Sequence, residues 1–225
     1  MCGRYTLTVS LEEMMLRFMI GHTNVPYHRP QYNVAPGQLV LAIINDGEQN
    51  RLGELKWGLV PPWADDPKIG SKMLNARAES AADKPAFREA VRRKRCLIPA
   101  DSFYEWKTRQ DGTKQPMRIV MRDRQPFAMA GLYETWVAAD GSKLSTCTVL
   151  TTSPNELMEP IHNRMPVMLR PEDEPLWLDR KVTNPADLQH LFKPFDESLM
   201  EAYPVSAAVG SVRNDFAELI EPIEA

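Results

Sequence analysis

Residues 96–152 read CLIPADSFYEWKTRQDGTKQPMRIVMRDRQPFAMAGLYETWVAADGSKLSTCTVLTT, and this stretch decides the fold class. Its runs rich in β-branched, aromatic and other apolar residues are interrupted by the turn signals Asp111-Gly112 and Asp140-Gly141. The pattern predicts consecutive strands joined by short turns, at 96–98, 103–107, 117–121, 127–137 and 146–152. Such a series is typical of an antiparallel sheet.

Outside that stretch, a further hairpin is predicted at 39–45 and 52–59 around Asp46-Gly47. Ser10 and Glu13 form a capping box, which predicts a helix that ends near residue 20. Other predicted helices are short and scattered, at 76–82, 86–94, 155–159, 171–178 and 185–192. Strands and helices do not alternate as in βαβ units, so we predict a single α+β domain over residues 1–225. Its sheet should be mostly antiparallel and curled toward a barrel.

The composition is that of an ordinary globular protein, with 225 residues, 43% hydrophobic and 25% charged. There is no apolar run long enough to span a membrane and no secretory signal, so we expect no membrane association. Three widely spaced cysteines argue against a disulfide scaffold or a zinc cluster and for a reducing, cytoplasmic setting. The four histidines lack ligand spacing, so no metal or other cofactor is expected.

Charge is distributed unevenly along the chain, whose net charge is −3. Residues 1–125 carry 20 Lys and Arg against 14 Asp and Glu, whereas residues 126–225 carry 7 against 16. A basic half can face a polyanion such as nucleic acid while the acidic half faces away. Chance also produces such asymmetry, so charge alone leaves the partner open.

Cys2 stands at a position that could give it unusual reactivity. A small residue after Met1 permits removal of the initiator methionine, which would leave Cys2 with a free α-amine beside its thiol. The amine and the thiol both have pKa values near neutrality, and together they condense with an aldehyde to a five-membered thiazolidine. The alternative is a frayed terminus at which the cysteine is incidental.

Glu105 and His162 are the candidate acid–base groups. Strand alternation places Phe103 and Glu105 on one face and Tyr104 and Trp106 on the other, so aromatic neighbours favour a desolvated carboxylate with a raised pKa. An exposed glutamate paired with a lysine remains the alternative. His162 lies in a predicted loop and titrates near neutrality, although a purely structural histidine fits the same pattern.

Three further segments suit a DNA partner. Asn75 is either a helix N-cap or a substrate-orienting amide, and Arg77 beside it suits a phosphate. The basic run 88–95 is either a solvated helix face or a phosphate-binding surface. Trp57 is expected in the core. Trp63 either stacks on bases from an exposed loop or anchors that loop to the core.

Six motifs occur in the order and spacing of one family: MCGR 1–4, YNVAP 32–36, WG 57–58, NARAE 75–79, FYEWK 103–107 and IHNRMP 161–166. Over nearly the whole chain the sequence resembles the SOS-response-associated peptidase (SRAP) family. The resemblance implies recognition of abasic sites in single-stranded DNA, including junctions with duplex, and covalent attachment through the N-terminal cysteine. It implies a monomer without cofactors.

The resemblance also implies residue roles. Cys2 is the nucleophile, Asn75 positions it and the sugar, Glu105 is the acid–base group and His162 assists opening of the deoxyribose ring. The implied DNA-contacting residues are Arg4, Asn33, Pro36, Trp63, Arg77 and Arg164. The arginines contact phosphates, Asn33 and Pro36 line the DNA path, and Trp63 stacks at the junction.

The sequence departs from the family pattern at two positions. Ala64 stands where some members have a second tryptophan, and Pro85 stands in place of an arginine. Two other functions stay open: a cysteine peptidase using Cys2, Glu105 and His162, possibly on its own N-terminus, and a non-covalent single-strand binder. Failure of thiazolidine closure would leave an imine that permits strand cleavage as a lyase side reaction.

Overall fold

The computed structural model describes residues 2–224, in which strands dominate and helices are short. The strands are β1 Tyr5–Leu7, β2 Ile20–Thr23, β3 Gln31–Val34, β4 Leu39–Asn45, β5 Asn50–Trp57, β6 Asn75–Arg77, β7 Arg95–Ala100, β8 Ser102–Thr108, β9 Lys114–Met121, β10 Phe127–Val137, β11 Lys143–Thr152, β12 Met165–Pro166, β13 Met168–Leu169 and β14 Met200–Pro204. The α-helices are α1 Leu11–Arg17, α2 Ala78–Ala81, α3 Arg88–Arg93 and α4 Glu174–Leu178. The 3₁₀ helices are Pro67–Lys72, Pro185–Phe192, Glu197–Leu199, Ala207–Gly210 and Ala217–Ile220.

Five strands of the larger sheet close on themselves into a barrel. The pairing runs β11-β10-β7-β4-β5, and β5 returns to β11 in parallel through Lys56 opposite Thr146 and Trp57 opposite Cys147. β2, β6, β12 and β13 attach to this ring, and most of its other pairings are antiparallel. The prediction of an α+β fold with a mostly antiparallel, barrel-like sheet is therefore confirmed.

The second sheet has the order β14-β9-β8-β1-β3 and is separate from the barrel sheet. The chain runs from β7 directly into β8 with Asp101 alone between them. Asp101 is buried and accepts hydrogen bonds from the hydroxyls of Thr6 and Thr8 and from the Thr8 N–H. Arg118, also buried, lies 4.0 Å from its carboxylate and donates from Nε to Ser102 at 2.8 Å. These residues form a polar corner, which ties β1 and β9 to the point where the chain passes from the barrel into the second sheet.

A small apolar cluster fixes the C-terminal segment to the outer face of the second sheet. It contains Tyr104, Val205, Val209 and Leu219, and Trp106 packs against it. The opposite face of β8 carries Phe103 into the main core. The alternation predicted for β8 is therefore confirmed, and it turns Glu105 toward the interior with Phe103.

Several local predictions are confirmed and others are wrong. The capping box is present, with the Ser10 Oγ accepting from the Glu13 N–H at 3.1 Å and Glu13 accepting from the Ser10 N–H at 2.7 Å. Its helix ends at Arg17 and not near residue 20, because Met19 turns the backbone with φ of 48° and Ile20 enters β2. The predicted helix 155–159 consists of turns.

The segment predicted as a helix from residue 76 begins as a strand. β6 pairs in parallel with β11, with Asn75 opposite Val149, before α2 starts. The N-cap interpretation of Asn75 is wrong, because Arg77 occupies that position and makes no side-chain cap. Sheet pairing with β11 overrides the local helical preference of this alanine-rich stretch.

In residues 2–224, none of the helices combines the length and the apolar character that crossing a bilayer requires.

We expect Asp101→Ala to lower the free energy of unfolding by about 3–5 kcal/mol, because it removes the carboxylate that neutralises the buried Arg118 cation and accepts a hydrogen bond from the Thr8 N–H. Urea denaturation measures the loss. The matched control is Glu54→Ala at an exposed position of β5, for which a change within about 0.5 kcal/mol is expected. Equal losses in the two variants would show that the polar corner does not stabilise the fold.

Candidate active site around Cys2

Cys2 is carried into the protein by the strand that follows it. β1 pairs with β8 with Tyr5 opposite Phe103, and the Tyr104 N–H donates to the Arg4 carbonyl at 2.9 Å. This pairing places the start of the chain beside the strand that bears Glu105. Cys2 is fully buried at 0% exposure and belongs to the main core. Cys2 therefore does not lie in a frayed terminus.

Asn75 reaches Cys2 from the opposite side. Its Nδ2 donates to the Cys2 carbonyl at 3.0 Å. The preceding residue is held by the Trp57 indole, which donates to the Leu74 carbonyl at 2.8 Å. Gly58 allows this arrangement, because its φ is +130° and a Cβ there would lie 2.8 Å from the Gly70 carbonyl oxygen. The barrel therefore presents Asn75 to Cys2 on a rigid support, and Trp57 is in the core as predicted.

Glu105 is buried, with 2% of its surface exposed. Burial raises its pKa to about 7, against the opposing hydrogen bond from the Trp106 backbone. Burial, followed by the charge of Glu105, raises the pKa of the Cys2 thiol above its usual range. The two groups therefore lie close enough to interact electrostatically, in a site where the carboxyl can hold or release a proton at neutral pH.

His162 lies in the loop before β12 and is partly buried. Its Nδ1 accepts a hydrogen bond from the Arg164 N–H at 3.0 Å, which assigns the proton of the neutral ring to Nε2. Burial lowers the pKa of His162, and the charge of Lys114 in the β8–β9 hairpin acts in the same direction. The lowered pKa favours the neutral imidazole, and the bond from the Arg164 N–H favours the tautomer with its proton on Nε2.

Arg4 and Asn33 form one network with the C-terminal segment. Arg4 Nη1 donates to Asn33 Oδ1 at 2.9 Å and to the Val209 carbonyl at 2.7 Å. The Asn33 amide donates to the carbonyls of Ser211 at 2.9 Å and Asn214 at 2.8 Å. Asn33 is 2% exposed, so its side chain acts within the protein, while Arg4 remains partly exposed.

The other predicted DNA contacts lie at separate places on the surface. Pro36 lines a cavity of about 510 Å³ together with Trp57 and Lys68. Trp63 is 56% exposed, and its loop is anchored by another tryptophan, since the Trp136 indole donates to the Ala64 carbonyl at 2.7 Å. The interpretation of Trp63 as the loop's anchor is therefore wrong.

Arg77 and Arg164 differ in what surrounds their guanidinium groups. Arg77 is exposed, and its guanidinium makes no hydrogen bond or ion pair with any residue in 2–224. Arg164 is largely covered and forms a bidentate ion pair with Glu79, with N–O distances of 2.6 and 2.8 Å. No role was predicted for Glu79, although its place two residues after Arg77 in the NARAE motif was a usable signal.

Part of the basic run 88–95 serves the fold. Arg95 is buried and donates to the carbonyls of Trp177 at 2.6 Å and Val91 at 2.8 Å. Lys94 pairs with Glu134 at 2.6 Å. Arg88, Arg92 and Arg93 are exposed on α3, in agreement with a solvated helix face, whereas Lys94 and Arg95 are bound within the protein.

No group of three or more His, Cys, Asp or Glu within the described residues 2–224 is arranged to hold a metal ion. The three cysteines are free thiols, and all are buried.

Comparison with known proteins places this chain in a family. A family model described as SOS response associated peptidase (SRAP) matches residues 1–212. The chain is 55% identical to the abasic site processing protein YoqW of Bacillus subtilis, over 98% of this chain and 99% of the relative. It is 31% identical to the abasic site processing protein YedK of Escherichia coli, over 99% of this chain and all of the relative.

The fold agrees with these sequence matches. A crystal structure of a protein from Bacteroides thetaiotaomicron superposes with a TM-score of 0.89 at 27% identity, covering 99% of this chain and 100% of that one. The shared fold, the family match over most of the chain and the relatives' near-complete coverage lead to one conclusion. The chain belongs to the SOS response associated peptidase (SRAP) family.

Proposed function

We propose that this protein attaches itself covalently to abasic sites in single-stranded DNA through Cys2, once Met1 has been removed, and thereby shields the lesion. The observation that carries the proposal is the burial of Cys2 between Asn75, which bonds its carbonyl at 3.0 Å, and Glu105, whose charge acts on its thiol. Relatives similar along the whole chain are named abasic site processing proteins, which supports the substrate. Met1 itself lies outside the described residues.

The proposed reaction uses the α-amine and the thiol of one residue. The amine of Cys2 adds to the aldehyde carbon of the opened sugar, and loss of water gives an imine. Sγ then adds to the imine carbon, and its proton passes to the nitrogen, which closes a thiazolidine. The overall change joins aldehyde and aminothiol with release of one water. Holding the two reactants in place can lower the barrier by roughly 7–11 kcal/mol.

Glu105 handles the protons at nitrogen in this proposal. With a pKa of about 7, its carboxylate accepts a proton from the ammonium group of Cys2, which frees the nucleophilic amine. The carboxyl then returns this proton to the departing hydroxyl when water is lost. A buried carboxyl whose pKa is near the working pH is suited to both steps.

His162 and Asn75 prepare the reactants. The abasic sugar is mostly a closed hemiacetal, and opening breaks the ring C–O bond while the ring oxygen gains a proton and the hydroxyl loses one. The Nε2–H of His162 is the proposed hydrogen-bond donor that polarises the ring oxygen, while solvent supplies the proton that this oxygen gains and accepts the proton that the hydroxyl loses. Asn75, bonded to the Cys2 carbonyl, holds the nucleophile in place.

The DNA strand is proposed to run across the basic half of the chain and to be bound by a monomer in the cytoplasm. Arg77, exposed and without an internal partner among residues 2–224, supplies a full phosphate contact. Trp63, 56% exposed on an anchored loop, offers a surface on which a base at a single-strand/duplex junction can stack. Arg4, Arg164, Asn33 and Pro36 line or support the path.

The state of the thiol favours attachment over general cysteine peptidase activity. A peptidase cysteine needs a lowered pKa so that the thiolate attacks. Here burial and the Glu105 charge raise the pKa of Cys2. In the proposed mechanism the amine attacks first, so a neutral thiol is no obstacle. Peptide hydrolysis is therefore confined in this proposal to processing of the protein's own N-terminus.

Cys2→Ala should abolish the covalent product, because no other cysteine in the chain has an α-amine beside its thiol. The measurement is a shifted band on a denaturing gel after incubation with an abasic oligonucleotide. Cys96→Ala and Cys147→Ala are matched controls that remove buried thiols and should retain the band. Undiminished crosslinking by Cys2→Ala would sink the mechanism, and no shift in the wild type would indicate a non-covalent binder.

Glu105→Gln should slow crosslinking at pH 7.5 by about 10²-fold or more, because the amide cannot accept the amine proton. In the wild type the rate should rise as pH increases through about 7, where the Glu105 carboxyl ionises. In the variant this rise should disappear, leaving only the later titration of the α-amine. Single-turnover rates between pH 5.5 and 9 test this, and an unchanged profile would remove Glu105 from the chemistry.

Arg77→Gln should weaken binding to single-stranded DNA and reduce the slope of log affinity against log salt by about 0.7, the value for one lost phosphate contact. Fluorescence anisotropy at several salt concentrations measures both quantities. Lys181→Gln removes one exposed positive charge from the acidic half and should leave the slope unchanged. Identical slopes for wild type and Arg77→Gln would exclude Arg77 from the DNA path.

A further inference from the structure

The loop that carries His162 is fastened by the side chain of Arg164. Arg164 Nη1 and Nη2 lie 2.6 and 2.8 Å from the two carboxylate oxygens of Glu79. Only 14% of the Arg164 side chain is exposed, and the charge-assisted bonds from Arg164 lower the pKa of Glu79. Two parallel bonds between planar groups define both a distance and an orientation. The guanidinium therefore has one position relative to α2.

A second anchor lies on the barrel. Arg164 Nη2 also donates to the Thr151 carbonyl in β11. Thr151 is the register partner of Arg77 in β6 and of Pro166 in β12. The guanidinium thus sits where the strand that bears Asn75, the barrel wall and the strand after His162 meet, and it connects all three.

The backbone of Arg164 holds the imidazole of His162 in both of its protonation states. The Arg164 N–H donates to Nδ1 at 3.0 Å when that nitrogen is unprotonated. The Arg164 carbonyl oxygen lies 3.2 Å from the same nitrogen, where it can accept from the protonated ring. Any shift of the Arg164 backbone therefore turns the ring and moves Nε2, the atom that faces away from Arg164.

We propose that Glu79 is a positioning residue for the His162-assisted step: its carboxylate holds the Arg164 guanidinium, and through the Arg164 backbone it keeps Nε2 of His162 directed at the lesion sugar. This inference rests on the proposed function, since it assigns a residue to the ring-opening step. It gives a role to Glu79, the charge-paired residue of the NARAE motif for which the sequence predicted none.

The competing role for Glu79 is that of a carboxylate that a DNA phosphate must displace from Arg164. The hydrogen bonds made by the Arg164 guanidinium favour the positioning role of Glu79. Both Nη2 hydrogens and one Nη1 hydrogen are used by Glu79 and Thr151. Two guanidinium hydrogens are left, and the one on Nε is buried. One Nη1 hydrogen therefore remains for a phosphate while the ion pair stays intact, so DNA can bind without displacing Glu79.

The test is single-turnover crosslinking by Glu79→Gln over a range of abasic oligonucleotide concentrations. We expect the limiting rate to fall about 10-fold to 100-fold, because a misplaced reacting group costs that much, while the half-saturating concentration stays within about twofold of the wild type. Glu79→Asp keeps the charge and should recover part of the rate. Glu89→Gln makes the same charge change at an exposed position of α3 and should behave as wild type.

A second measurement does not depend on DNA. The ¹⁵N chemical shifts of the His162 ring report its tautomer and pKa. The wild type should show the Nε2–H tautomer, and Glu79→Gln should show a mixture and a shifted pKa, whereas Glu89→Gln should match the wild type. If the wild type forms no crosslink but this pattern appears, the proposed function fails and the positioning role stands.

Three outcomes would overturn the inference. Tighter DNA binding by Glu79→Gln with an unchanged limiting rate would make Glu79 a competitor of phosphate. An unaltered His162 tautomer together with an unaltered limiting rate would show that the ion pair does not control the ring. A lower rate with an unchanged tautomer would place the effect elsewhere than at His162 and would also contradict the proposal.

Discussion

The pairing of β1 with β8 is the constraint on which the rest of the site depends. Tyr5 opposite Phe103 brings the beginning of the chain against a strand from its middle. Because side chains along β8 alternate between its two faces, the next side chain after Phe103 on the interior face is Glu105. It is buried beside Cys2. The polar corner at Asp101 holds this pairing where the barrel passes into the second sheet. Without the pairing of β1 with β8, Cys2 would lie in a solvated segment.

Burial raises the pKa of both Glu105 and the Cys2 thiol, and both shifts suit the proposed reaction, which starts at nitrogen. It raises the pKa of Glu105 to about 7, so that the carboxyl exchanges protons at neutral pH. It also raises the pKa of the Cys2 thiol, which keeps sulfur neutral until an electrophile is present. In the proposed mechanism, exclusion of water from the buried Cys2 also protects the imine from hydrolysis before the sulfur closes on it.

The arginines of this chain divide into those that build the protein and those that face outward. Arg95 and Arg118 are buried and satisfy backbone carbonyls or side chains within the fold. Arg4 and Arg164 have mixed surroundings, since each fastens one segment to another while part of its surface stays exposed. Arg77 alone among these five has a guanidinium without a partner in residues 2–224. The number of arginines in the sequence therefore overstates how many cations are available to a polyanion.

The sequence by itself determined the fold class, the hairpins, the capping box of α1, the buried face of β8 and the family, since each depends on local periodicity, turn chemistry or ordered motifs. Tertiary structure alone decided that residues 75–77 form a strand on β11, that α1 ends at Arg17, and that Trp136, not Trp63, anchors the loop at Ala64. It also decided that Glu79 pairs with Arg164, 85 residues away. Such contacts join distant segments, and local propensity contains no information about which distant partner will satisfy a hydrogen bond or a charge.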